Sequence, residues 1–150
     1  MPELGTHSIE VEEALIAGLL LVEVDGLSEV ADEDMFYDHL RPLLKAIRAL
    51  HHAGKPVNSI TVMYALGDRL DSLSWKGDVG EVMVTDLLSR HALNPVIYAP
   101  MAMASIVHNY AERRRGLRRA HEEGTRKYQA EIEKVGLVSE RKRWWLTPSD

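Results

Sequence analysis

At 150 residues, 45% apolar and 27% charged, the chain has the composition of one ordinary globular domain, neither disordered nor fibrous. It contains no cysteine, which excludes a disulfide framework, thiolate zinc sites and a cysteine nucleophile. The net charge of -5 argues against a general nucleic-acid coat but conceals an asymmetry: residues 1–110 carry 7 basic and 16 acidic side chains, whereas residues 111–150 carry 11 and 7.

A first helix is predicted from Ser8, a good N-cap, with Glu10, Glu12 and Glu13 at the positive end of the helix dipole. Residues Ala14 to Val24 are almost all apolar, so this helix is expected to be buried on most sides until Asp25-Gly26 ends it. Its apolar run, Ala14 to Val22, is too short to span a bilayer, and no membrane segment or signal peptide is read, so a cytoplasmic protein is expected. The acids Asp32-Glu33-Asp34 are read as solvated, capping residues rather than a cation site.

Asp38 is the expected cap of a second helix, with Pro42 near its start and Leu40, Leu43, Leu44, Ile47 and Leu50 in one stripe. Gly54 and Pro56 stop it. Val57-Asn58-Ser59 forms the next entry, and a third helix is predicted to run to about Leu70, with Ile60, Met63 and Leu66 inward. Residues 71–80 read as a loop, and a shorter helix is expected over Glu81 to Ser89. Asn94-Pro95 is a helix-start signal, and Pro100 should kink the next helix or move its true start later.

Beyond Pro100 the pattern narrows. Met103, Val107, Tyr110, Leu117, Gly124 and Tyr128 recur at intervals of three and four, with Arg114 and His121 filling the series. A thin apolar stripe on a charged helix seeks a partner helix. Gly116 and Gly124 mark a break or a close helix crossing. No segment shows strand alternation, so the fold class is all-α.

Chemical motifs are lacking. The only Gly-Lys, Gly54-Lys55, runs into Pro56 and makes no phosphate loop, and there is no G-x-G-x-x-G. Seven histidines show no metal-ligand spacing. His51 and His52 point about 100° apart on a helix and are read as a helix-end pair. Asp68 and Asp71 have no base or nucleophile arranged around them. No catalytic residue, metal or cofactor is assigned, and the chain is not expected to be an enzyme by itself.

The residues do carry a resemblance. His7-Ser8-Ile9-Glu10-Val11-Glu12-Glu13-Ala14, running into Leu15 to Leu20, resembles the opening of the N-terminal domain of bacterial replicative helicases, the DnaB family. Phe36-Tyr37, Leu40, Ile47 and Leu50 resemble its second block, and Gly54-Lys55-Pro56-Val57-Asn58 with Ile60-Thr61-Val62 its Gly-x-Pro turn and next helix. Asn94-Pro95, Ala104, Ile106-Val107 and Arg114-Arg115 resemble the block that opens the family's helical hairpin. The similarity runs in order from about residue 6 to 120. It departs from the family at Gly77 to Met83, at Met103 and at Pro100, and the sequence holds no RecA-like motor domain.

The resemblance implies a helical head over residues 1–92, a long helical hairpin over 93–138 and a basic, Trp-bearing tail or linker over 139–150. It implies a non-catalytic DNA-replication module, either an excised collar domain or a free-standing homologue. Such a module oligomerises as a dimer or a trimer of dimers and docks the primase C-terminal domain, a replicative helicase or a helicase loader. The implied self-association positions are Met103, Ile106, Val107, Tyr110, Arg114 and Leu117; the bland alternative is that this stripe packs on its own head. Arg113, Arg115, Arg118 and Arg119 read either as phosphate contacts or, the commoner case, as a solvated face with Arg119 and Glu123 at i,i+4. Trp144, Trp145 and Leu146 read as a docking peptide, a fold-back segment or a linker start. Two other functions stay open: a mimic competing for a host helicase or primase, and a nucleic-acid-binding protein using the basic helix.

Overall fold

A computed structural model describes residues 5–138. Helix α1 spans Ile9–Leu21, and Ser8 caps it as expected, its hydroxyl accepting from Val11 N at 3.3 Å. Every residue from Glu12 to Leu20 is buried, which is why the stretch carries no polar stripe. The chain then turns through two short 3-10 segments, Asp25–Glu29 and Asp32–Asp34. Helix α2 spans Arg41–His52 and buries Leu43, Leu44 and Ile47 completely; Leu40, at its cap, is equally buried. Asp38, expected to cap it, instead pairs with Arg41 at 3.1 Å at the surface. Gly54, at φ 69°, turns the chain out of α2 in the left-handed region that favours glycine.

Helix α3 spans Ser59–Leu66, closed at its start by reciprocal hydrogen bonds between Asn58 and Thr61, both 3.0 Å. Its inner face is Val62 and Leu66, with Met63 packed against the core; Ile60, expected inside, is 75% exposed. The helix is apolar on several sides, so spacing alone could not fix which side faces in. It passes into a 3-10 segment, Gly67–Ser72, short of the expected helical end near Leu70.

Residues 71–80 are more ordered than a loop. Strands β1 (Ser74–Trp75) and β2 (Asp78–Val79) pair antiparallel across Lys76-Gly77, both at positive φ, 51° and 89°. Two consecutive left-handed residues match the twist a two-residue hairpin needs. Helix α4, Gly80–His91, buries Met83, Val84, Leu87 and His91. Asn94 does cap, accepting from Val96 N, but it opens only a 3-10 segment, Pro95–Tyr98. Pro100 moves the true start later: helix α5 begins there and runs unbroken to Val138.

The all-α class therefore holds, with one two-residue hairpin added. The helical hairpin expected over 93–138 takes a different form, a 3-10 turn and one 39-residue helix, with no second arm among the described residues. Gly116 and Gly124 interrupt nothing, because glycine in a helix interior costs about 1 kcal/mol and does not clash as proline does. Residues up to Arg113 form one compact unit and those from Arg114 a second. The first unit, the head, contains the whole apolar core, including Ile97, Ala104 and Val107. Among the described residues no helix is long and apolar enough to cross a membrane.

Candidate functional site

The sequence pointed to the helix after Pro100, and the head is built to hold the beginning of that helix. Two glycines admit it. A Cβ on Gly18 would lie 2.7 Å from the Ile97 carbonyl oxygen, and one on Gly26 would lie 2.7 Å from that of Pro100. Both approaches are backbone to backbone, so no side chain can swing aside to make room. Ala104, Val107 and Ala111 then turn one face of α5 into the core. On the flank, the buried carboxylate of Asp34 accepts from Ala31 N and from His108 Nδ1, each at 2.9 Å, and so ties α5 to the Asp32–Asp34 turn. Asp34 does cap, as read, but it is buried rather than solvated. Its neighbour Asp32 pairs with Arg48 Nε at 3.1 Å.

The implied self-association residues divide along the helix. Val107 is 1% exposed and belongs to the head's own core; at that position the bland alternative holds, because the inward row 104, 107, 111 includes it. Met103 packs against the same core, and Ile106, Tyr110 and Arg114 are half-buried. Leu117 is 57% exposed. From there the apolar row continues in the open through Tyr128, Ile132 and Val135. Ile132 and Val135 were missed, although the interval of four and then three from Tyr128 was there to extend. Of the basic run, Arg113 and Arg115 are half-buried, while Arg118 and Arg119 stand exposed. The described structure pairs Lys127 with Glu123, at 3.8 Å. Trp144, Trp145 and Leu146 lie outside the described residues.

Comparison with known proteins decides what kind of domain this is. Residues 5–95 match the DnaB-like helicase N terminal domain family. The chain belongs to that family. Among solved structures it resembles the N-terminal domain of DnaB helicase from Mycobacterium tuberculosis, with 25% identity, 89% of this chain and 90% of that chain covered, and a TM-score of 0.66. Comparison with curated protein sequences gives no match. Both matches are to the N-terminal domain, and no ATPase domain is matched.

This DnaB-like domain also holds polar machinery that its sequence did not betray. Glu13, in the apolar helix α1, is 2% exposed in its side chain and is gripped by Arg90 through two hydrogen bonds, 2.7 and 2.9 Å, and by His91 Nε2 at 3.1 Å. Burial by itself raises the Glu13 pKa, but the hydrogen bonds and charges of Arg90 and His91 outweigh it and hold the carboxyl below its ordinary value. Glu13 is the main cause raising the Arg90 pKa further. Neighbouring Glu12 accepts from the backbone of Phe36 at 2.9 Å and of Tyr37 at 3.2 Å, so both acids fasten α1 to distant segments.

His39 stacks on Trp75 with centroids 4.3 Å apart, and burial pushes its pKa below the usual imidazole value. Its Nε2 and the Nδ1 of His91 are buried without hydrogen-bond partners among the described residues. His7, Phe36 and Tyr37 continue this row of rings towards the N-terminus. No group of three potential metal ligands occurs among the described residues. His51 and His52 sit exposed at the end of α2, as a helix-end pair would. The cleft beside them is lined by Arg48, but that guanidinium is committed to Asp32 and to the carbonyls of Leu27 and Val30. The exposed length of α5 is the candidate functional surface.

Proposed function

We propose that the chain is a non-catalytic interaction module of DNA replication. It assembles with itself through the exposed face of α5 and docks the primase C-terminal domain, a replicative helicase or a helicase loader. The observation that carries this reading is the row of large apolar side chains from Leu117 to Val135, left open on a charged helix of a DnaB-like N-terminal domain. Exposed apolar rows of this kind mark contact surfaces. Light scattering on the full chain tests it: a dimer or larger mass is expected at high concentration, and Leu117→Asp with Tyr128→Asp should return a monomer with an unchanged thermal transition of the head. A monomeric mass for the unaltered chain at high concentration overturns it.

The exposure of Arg118 and Arg119 supports a second reading, phosphate contact by the same helix. Binding of that kind weakens linearly in log affinity with log salt.

A further inference from the structure

We infer that the head carries a docking surface of its own, where α1 ends against the segment leading into α5, and that its occupant is a basic, apolar segment of another protein. It is independent of self-association through α5. The close backbone contacts of Gly18 with Ile97 and of Gly26 with Pro100 lay residues 97–101 across the end of α1. The side chains gathered there are apolar. Leu21 and Val22 lie three and four positions after Gly18, on the same side of α1. Tyr98 and Met101 flank the residues that the two glycines touch. These four are between 38% and 69% exposed, whereas their neighbours Leu20, Leu27 and Ile97 are buried. Uncovered apolar groups of this kind mark contact surfaces. Tyrosine is a frequent binding anchor, and methionine adapts its shape to a partner.

The charges select the partner. Residues 18–31 and 92–107 hold three acids, Glu23, Asp25 and Glu29, and no lysine, arginine or histidine. All three acids are exposed, and none forms an ion pair among the described residues. Arg48 shares a cleft with Asp25, His51 and His52, but its guanidinium is committed to Asp32 and to the carbonyls of Leu27 and Val30. Unpaired carboxylates around an apolar patch repel nucleic-acid phosphates and anionic lipid headgroups, and they attract lysine and arginine. A protein segment with apolar residues along one side and basic residues beside them satisfies both parts of the surface.

The probe is a synthetic helix of about five turns, with leucine on one face and lysine on the other, titrated into the full chain in a calorimeter. It should bind, and the same pattern with glutamate in place of lysine should not. Tyr98→Ser with Met101→Ser should weaken binding by about tenfold or more. Glu23→Gln with Asp25→Asn should weaken it and flatten its dependence on salt. Ile60→Ser with Tyr64→Ser, a pair at least as exposed on α3, should leave it unchanged, as should Leu117→Asp with Tyr128→Asp. All of these side chains are exposed, so each variant should keep the thermal transition of the head. Absence of binding by the lysine peptide overturns the inference. Equal binding of the glutamate peptide, or an equal loss from the Ile60 and Tyr64 pair, overturns it by showing that the contact is not specific to this surface. A smaller light-scattering mass for the Tyr98 and Met101 variant also overturns it, because the occupant would then be a second copy of this chain.

Discussion

Glu13 sets the acid response of the head. Its carboxylate is favoured in the folded state, so the stabilisation is fully present above the unfolded pKa of about 4.5 and is lost as pH falls through the lower folded value. His39 acts in the same direction from a different cause. Burial favours its neutral ring, so its contribution is complete above about 6.5 and declines as the unfolded chain takes up a proton that the folded chain resists. Urea unfolding should therefore show stability falling from about pH 6.5 downwards and more steeply below about 4.5. His39→Phe, which keeps a ring on Trp75, should flatten the upper part. Glu13→Gln should flatten the lower part and cost about 1–3 kcal/mol at pH 7, since it removes a charged partner from Arg90 and His91. An unchanged profile in either variant would refute the role given to that residue. This network was not legible in the sequence. The acids of α1 satisfied a dipole rule, and that rule does not say which of them the protein will cover. The partner that decides it, Arg90, lies 77 residues away.

Among the elements, α1 and the Pro95–Tyr98 turn that leads into α5 are brought together by the absence of a side chain. Gly18→Ala puts a methyl 2.7 Å from the Ile97 carbonyl oxygen and 3.1 Å from Pro100 Cγ, and overpacking of this kind costs about 1–3 kcal/mol. Differential scanning calorimetry should record a thermal transition lower by at least about 3 °C. Gly116→Ala should move it the other way or leave it unchanged, because its Cβ would meet only the end of the Arg119 side chain, 4.0 Å away. Alanine there improves helix propensity by about 0.5–1 kcal/mol. If both substitutions shift the transition equally, the clamp is not real. Helix existence was readable from spacing and caps: Ser8 and Gly54 each mark the boundary they were read to mark, and α3 starts within the entry read at residues 57–59. Helix faces were less so. In α3 too many residues are apolar for the period to choose a side, and the side is chosen by the surface that α2 presents. The small hairpin was hidden because two-residue strands carry no alternation to detect.

At the scale of the molecule, the boundary that matters lies inside α5. The resemblance implied a head over residues 1–92, and the described core includes Ile97, Ala104 and Val107 beyond it. Ending the chain at Arg113 should leave a cooperative domain with nearly the thermal stability of the whole, and light scattering should find it monomeric. Ending it at residue 92 should leave a species that binds a hydrophobic dye and lacks a sharp transition. Two equally stable fragments would mean that α5 contributes nothing to the head. The hairpin was not legible as a single helix because glycines at 116 and 124 resemble stop signals. Continuity with a packed helix overrides them, and a window of sequence does not contain that information.

That continuity has a further consequence. Starting a helix is the unfavourable step, because several residues must be fixed before the first hydrogen bond rewards them; extending one adds a bond per residue. The head fixes the first three turns of α5 through Ala104, Val107 and Ala111. The remainder inherits a finished nucleus and needs only to propagate. A stretch with two glycines and a heavy charge load, weak as a free peptide, can thus be presented already helical. Whatever binds this arm does not have to supply the ordering that a disordered tail would demand.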